Sequence, residues 1–215
     1  MTIRVYLIDD HALVRTGMKM ILAGELDIEV VGDAESGELA LPQIRKLKPD
    51  VVLCDLHLPG LSGLEITERI THSDLAAKVI IVSVLEDGPL PKRLIEAGAC
   101  GYLGKAGDAN ELLRAVRDVA RGKRYLGSNV AQNMALSNVA GNSNASPFDE
   151  LSPRELEVAM LLVQGLRQED IAQRLSLSAK TINTHKTRLF QKLGIQDNIA
   201  LGRPCPQNRL LPPAR

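Results

Sequence analysis

What most constrains this chain is an alternation. Over residues 1–125, short apolar runs are separated by stretches with helical spacing. The runs "IRVYLI" (3–8), "IEVVGDA" (28–34), "DVVLCD" (50–55), "KVIIVSV" (78–84) and "ACGYLGK" (99–105) read as strands. Helices are predicted over 12–22, 36–47, 62–71, 90–98 and 108–122. Ser36 and Asp108 are placed as caps, Gly98 and Gly122 as stops, and Pro42 sits awkwardly inside the second helix. Strands that are nearly continuous apolar runs are expected where both faces of a sheet are covered. Five strands alternating with five helices predict a doubly wound five-stranded parallel sheet. Ligands of such sheets gather beyond the carboxyl ends of the strands.

The remainder changes character. Residues 127–147 are rich in Ser, Asn, Gly and Ala and carry no charge. "NVAQNMALSNVA" has the makings of a short helix and "GNSNASP" reads as a flexible linker, so 126–148 is taken as the connection. Beyond it, Ser152, Pro153 and Glu155 form a capping-box signature before an apolar run (151–166). A short helix is predicted over 167–175. A turn then leads to Ser178, which caps a helix over 179–195. Three helices with short connections predict a small all-α domain over 149–200.

Charge separates the two parts. Residues 1–150 carry 16 Lys and Arg against 21 Asp and Glu, a net of −5; residues 151–215 carry 10 against 5, a net of +5. An acidic front and a basic back suggest modules with different partners. No apolar run approaches the roughly 20 residues that a membrane helix needs. The start does not resemble a signal peptide, so the expectation is a cytoplasmic protein without a membrane partner. Cys54, Cys100 and Cys205 form no CxxC pair and are odd in number. That argues against a zinc site or a disulfide framework, and all three are read as structural or incidental.

Chemistry-bearing residues fall at the predicted strand ends. Asp9 and Asp10 follow the first strand and Asp55 ends the third. If those strands are neighbours, three carboxylates converge and each raises the others' pKa. The usual remedy is a hard divalent cation, and Mg²⁺ prefers oxygen ligands of this kind. Ser83 ends the fourth strand and Lys105 the fifth, adding a hydroxyl and an ammonium to the same rim. A transferred phosphoryl group needs such donors and positive charge around its oxygens. Asp55 is then the nucleophile.

In the basic part, Lys180, Thr181, Asn183, Thr184, Lys186, Thr187 and Arg188 avoid the apolar positions Ile182, Leu189 and Leu193. They could form one broad polar face. Such residues contact phosphates and base edges of double-stranded DNA, and a helix of this kind after a short helix and tight turn is the helix-turn-helix layout.

With "LIDDH", "CDLHLPGLSG", "IIVSV" and "GYLGK" in order, residues 1–125 resemble a flavodoxin-like response-regulator receiver domain. Residues 151–195 resemble the LuxR-type helix-turn-helix, and the two together resemble the NarL/FixJ class. "SPFDELSPRE" is similar to the GacA/UvrY-type global regulators, which implies a hybrid sensor kinase as partner and small regulatory RNA genes as targets. The resemblance implies that Asp55 is the phosphoacceptor and that Asp9 and Asp10 serve Mg²⁺, with the backbone carbonyl of His57 as a further ligand. It implies that Ser83 is the switch hydroxyl, Lys105 the phosphate-contacting lysine and Tyr102 the switch aromatic. Ala106 departs from the Pro that many receivers carry after this lysine.

The reading is therefore a transcription regulator, not an enzyme. A sensor histidine kinase or phosphotransfer protein would phosphorylate it, and it would act on DNA as a homodimer. The family's fourth helix, which supplies the dimer contact, is interrupted here by Gly202, Pro204 and Pro206, with Pro212 and Pro213 following. No full fourth helix is expected beyond about residue 202, and 201–215 is set apart as an atypical tail. One alternative is a signalling protein that acts through protein contacts only, its DNA binding impaired by that tail. Another is a Mg²⁺-dependent phosphohydrolase, but the first strand lacks a DxD spacing.

Overall fold

A computed structural model describes residues 2–139, 147–163, 165–175 and 177–202. The chain divides into two compact units. One is centred on a sheet (residues 1–86 and 93–131), and one includes the described residues from 132 onward.

Along the chain β1 (Ile3–Ile8), α1 (Ala12–Ala23), β2 (Ile28–Ala34), α2 (Gly37–Leu47), β3 (Val51–Asp55) and α3 (Gly63–Thr71) follow one another. They continue into β4 (Lys78–Ser83), α4 (Leu90–Glu96), β5 (Gly101–Gly104), α5 (Ala109–Ala120), β6 (Tyr125–Leu126) and α6 (Ser128–Val139). All strand pairs are parallel, in the order β2-β1-β3-β4-β5-β6. Strands one and three are neighbours, as the convergence of Asp9, Asp10 and Asp55 requires.

The alternation of side chains across the sheet explains the apolar runs. Val5, Leu7, Val51, Leu53, Ile80, Val82 and Leu103 share one core cluster with Met18 and Leu22 of α1 and Leu113 and Val116 of α5. The intervening residues Tyr6, Ile8, Val52, Cys54, Val79 and Ile81 are buried as well. Ser36 and Asp108 cap α2 and α5 as predicted, and Ser62 with Glu65 forms a full capping box on α3. The second helix continues through Pro42. Pro42 itself is exposed, while Leu41 and Ile44 beside it are buried and hold the helix to the sheet.

One expectation needs correction. The sheet has six strands, not five: Tyr125 and Leu126 pair with Gly101 and Tyr102. A two-residue strand is too short to leave a periodic signal. Within 126–148 the short helix expected of "NVAQNMALSNVA" does form. Leu126 closes β6 and α6 occupies 128–139, with Val130 fully buried. The main-chain N–H and hydroxyl of Ser128 both donate to Glu111 Oε1 at 2.8 Å. Most of "GNSNASP" lies outside the described residues.

In the second unit a 3₁₀ turn (Pro147–Glu150) leads into α7 (Pro153–Val163), α8 (Gln168–Arg174), α9 (Ala179–Leu193) and α10 (Asn198–Gly202). The predicted box opens α7: Ser152 N–H donates to Glu155 Oε2 at 2.7 Å, and Glu155 N–H to Ser152 Oγ at 3.3 Å. Gly165, at φ +82°, follows the end of α7, because only a residue without a Cβ adopts that conformation freely. Ser178 caps α9, whose Ile182 and Leu189 are fully buried. A fourth helix does form, as the five residues of α10, with Leu201 buried. The tail prolines expected to interrupt it lie outside the described residues, as does Cys205.

Candidate functional site

Parallel pairing brings the carboxyl ends of β1, β3, β4 and β5 to one rim. Asp55 closes β3 and pairs with Val82, so Ser83 lies one residue further along the same edge. Asp9 follows β1 and Lys105 follows β5. Asp9 is fully buried and Asp55 only 4% exposed. Lys105 Nζ lies 2.8 Å from Asp55 Oδ2 and 2.8 Å from Asp9 Oδ2. One ammonium thus bridges two carboxylates that would otherwise repel each other out of reach of water.

The local chain explains this placement. His57 N–H donates to Asp55 Oδ1 at 3.3 Å, so the peptide after Leu56 wraps the nucleophile candidate. Gly60, at φ +72°, makes the sharp turn after Pro59. Gly63 N–H donates to Leu56 O at 2.9 Å, and a Cβ at Gly63 would lie 2.4 Å from Asp55 O. Only glycine lets the start of α3 approach the end of β3 so closely, and this is the role of the "HLPGLSG" spacing.

Burial raises the Asp55 carboxyl pKa to about 6. Lys105 opposes that rise and Asp9 adds to it. Lys105 is also partly desolvated, which works against its charge, yet Asp55 and then Asp9 hold its pKa above the ordinary lysine value. The Cys54 thiol, sealed next to Asp55, is pushed well up by burial and by the two carboxylates. It is a packing residue whose Sγ lies 3.2 Å from Asp55 O. Cys54 and Cys100 are both free thiols.

Carboxylate oxygens of Asp9, Asp10 and Asp55 and a ring nitrogen of His11 all lie within 4.8 Å of one another. That span and a donor set of hard oxygens suit a divalent cation. Ser83 is buried and its Oγ accepts the Leu85 N–H at 3.1 Å. Tyr102 is fully buried, and its hydroxyl donates to Leu85 O. The two switch candidates therefore meet at one residue of the β4–α4 loop.

Three contributors carry no local sequence signal. Arg15 on α1 donates from Nη1 to the Asp9 carbonyl and from Nε to Asp33 Oδ2 at 2.8 Å. Lys19 reaches Asp33 Oδ1 at 2.7 Å. Asp33, at the end of β2, is held below the usual carboxylate range by these two cations despite partial desolvation. The trio clamps the loop that presents Asp9 and Asp10. No spacing rule connects residues 9, 15 and 33; the β1–β2 pairing joins them.

In the second unit Lys180, Asn183, Thr184, Thr187 and Arg188 are exposed along α9, and Thr181 and Lys186 are partly so. The threonines are already engaged. Thr184 Oγ1 donates to Lys180 O and Thr187 Oγ1 to Asn183 O, while Thr181 Oγ1 lies 2.8 Å from Ser178 Oγ. Lys186 Nζ stands 5.3 Å from the centre of the Phe190 ring. Among the described residues, Lys180, Asn183 and Arg188 are thus the donors on this face with no such local engagement. Gln168 Nε2 donates to Ala179 O at 2.7 Å, fixing the start of α9 against α8. Lys192 donates to Glu155 Oε2 at 2.7 Å and to Glu150 O at 3.0 Å, tying the far end of α9 to the start of α7.

None of the described helices is long and apolar enough to cross a membrane. Residues 5–117 match the model of the response regulator receiver domain, and residues 149–203 match that of the bacterial regulatory proteins of the luxR family. The response regulator GacA of Pseudomonas viridiflava is 44% identical over 199 residues, which is 93% of each chain. The response regulator UvrY of Escherichia coli K12 is 42% identical, over 93% of this chain and 91% of UvrY. Among solved structures, RcsB from Salmonella enterica serovar Typhimurium is 25% identical with a TM-score of 0.68. It was bound to promoter P1flhDC in the presence of the phosphomimetic BeF3⁻, and the match covers 94% of this chain and 96% of RcsB. The chain belongs to the two-component response regulators of the GacA/UvrY type, phosphorylation-dependent transcription regulators that join a receiver domain to a LuxR-type DNA-binding domain.

Proposed function

We propose that Asp55 accepts the phosphoryl group from the phosphohistidine of a sensor histidine kinase or a phosphotransfer protein. One observation carries this reading: Asp55 and Asp9 share the Lys105 ammonium at 2.8 Å each, at the carboxyl ends of neighbouring strands. A carboxylate oxygen of Asp55 attacks phosphorus, the P–N bond breaks, and the donor imidazole leaves. Asp9, Asp10, Asp55 and the His57 carbonyl would hold Mg²⁺, which when bound neutralises charge on the phosphoryl oxygens. Lys105, 2.8 Å from Asp55 Oδ2, supplies fixed positive charge beside it. The acyl phosphate brings about −1.5 to −2 charge where the carboxylate brought one. Ser83 turns its hydroxyl to the new oxygens and releases the Leu85 N–H. Tyr102, bonded to the same residue, repacks with it.

The outcome is a population shift between two arrangements, one of which exposes the α9 face to double-stranded DNA. Active molecules pair as homodimers on half-sites in the cytoplasm. In this reading the protein is a regulator and not an enzyme, and the acids beside Asp55, Asp9 and Asp10, serve the cation rather than activating water. The test is DNA binding by parent and Asp55→Asn with and without a small-molecule phosphodonor. Stimulation in the parent alone is expected. Equal stimulation of the variant would remove Asp55 from the mechanism, and an unstimulated parent that never binds DNA would favour action through protein contacts.

A further inference from the structure

His11 occupies the N-cap position of α1, yet its side chain makes no capping bond to the helix. The ring is turned back toward the acidic loop instead. Nδ1 lies 2.7 Å from Asp10 Oδ1 and 3.5 Å from Asp9 Oδ1, and the His11 N–H donates to Asp9 Oδ1 at 2.8 Å. The carboxylates divide their oxygens accordingly. The Oδ2 atoms of Asp9 and Asp55 face Lys105, while the Oδ1 atoms of Asp9 and Asp10 face the imidazole. The ring nitrogen lies within 4.8 Å of all three carboxylates, the span of ligands around one cation. The His11 side chain is 59% exposed, which leaves room for a hydrated cation to approach and for the ring to turn.

We propose that His11 Nδ1 is a direct ligand of the divalent cation in this pocket, and that it tilts selectivity from Mg²⁺ toward borderline cations such as Co²⁺ and Ni²⁺. The inference rests on the cation reading of the site given above and concerns which cation the site prefers. Mg²⁺ is satisfied by carboxylate, carbonyl and water oxygens and gains little from imidazole. Later first-row cations bind nitrogen more strongly, in the order Mn²⁺ < Co²⁺ < Ni²⁺. Ligation needs the Nδ1 lone pair, so the ring proton sits on Nε2 and the bond to Asp10 is exchanged for a shared cation.

The experiment is calorimetric titration of the full chain, without phosphodonor, using Mg²⁺ and Co²⁺ separately. The proteins are the parent, His11→Gln, His11→Phe and Asp10→Asn. Gln keeps a hydrogen bond to Asp10 without a nitrogen lone pair, and Phe keeps the ring without any donor. Both His11 variants are expected to lose about tenfold or more in Co²⁺ affinity while Mg²⁺ affinity moves by less than about threefold. Asp10→Asn is expected to weaken both cations, which separates this pocket from adventitious binding at the other three histidines. Equal changes for the two cations in the His11 variants, or none, would overturn His11 as a ligand and leave the acidic pocket standing. A parent that binds neither cation would overturn the cation reading itself and this inference with it.

Discussion

Lys105 and Asp55, fifty residues apart in the chain, meet at 2.8 Å, and the same ammonium reaches Asp9 at 2.8 Å. Three charges are thereby taken almost out of water. Deleting the one cation of this buried set leaves two carboxylates uncompensated, which typically costs about 3–5 kcal/mol. Lys105→Ala should therefore be destabilised by about that much in chelator, read by denaturant melts. Millimolar Mg²⁺ should restore part of the loss, because a divalent cation can replace the missing charge. A Lys105→Ala melt insensitive to Mg²⁺ would show that the cation does not share these carboxylates.

Asp55 gives a stability prediction whose sign follows from its pKa. The folded value, near 6, stands above the ordinary 3.8 because of burial. The folded state therefore binds this proton more tightly than the unfolded chain does. The associated stability is present in full below about pH 4 and is lost as pH rises to about 6. At pH 7.5 in chelator the ionised carboxylate costs up to about 3 kcal/mol, so Asp55→Asn should be more stable than the parent. The difference should shrink as pH falls from 6 to 4. Asp33 and Glu155, whose pKa values are lowered, follow the opposite sign in both proteins and cancel in the comparison.

Much of this was legible in the sequence for a definite reason. The acids at 9, 10 and 55, the hydroxyl at 83 and the lysine at 105 each end an apolar run, and a parallel sheet must bring such ends together. Caps at Ser36, Asp108, Ser152 and Ser178 are local chemistry and appeared where expected. What stayed hidden depends on tertiary pairing. β6 is two residues long, and Arg15 acts on Asp9 through a carbonyl that every residue has. The Glu111–Ser128 contact joins α5 to a segment whose composition is that of a linker. Sequence periodicity reports faces and ends, not partners across them.

Arg15 is the contact most worth testing among those hidden ones. It links Asp33 on β2 to the main chain of Asp9, and a charge-assisted bond of this kind is worth about 1.5–3 kcal/mol. Arg15→Ala should lose about that much stability. It should also weaken cation binding severalfold, because the Asp9–Asp10 loop is freed. Arg15→Lys keeps the charge but cannot bridge both acceptors with one planar fork, so it should recover stability more than cation affinity. Equal recovery of both would mean that charge alone matters here.

Tyr102 and Ser83 both bond to Leu85, one through its carbonyl and one through its N–H. Tyr102→Phe removes one of these bonds and leaves the Leu85 carbonyl needing another donor. A loss of about 1 kcal/mol is expected in the unphosphorylated protein. The phosphodonor concentration needed for half-maximal DNA binding should also change. A variant with parental stability and parental response would exclude the Leu85 loop as the coupling element.

On α9 the local hydrogen bonds sort the candidates. Thr184 and Thr187 spend their hydroxyl protons on the helix backbone, whereas Lys180 and Arg188 are exposed. Among the described residues no carboxylate forms an ion pair with either. The two cations are therefore expected to meet DNA phosphates or base edges. Lys180→Ala should weaken binding across sequences and reduce the slope of log K against log salt by about 1, the signature of one lost phosphate contact. Arg188→Ala should do the same if it meets a phosphate. If it reads a guanine edge, it should instead cost about 1–3 kcal/mol at one base position and relax specificity there. Thr187→Val removes a hydroxyl whose proton the helix already uses, so its effect should be smaller than either. Salt-dependent binding curves on one duplex and its point variants distinguish these outcomes, and unchanged slopes for both cationic variants would place the DNA contact elsewhere than α9.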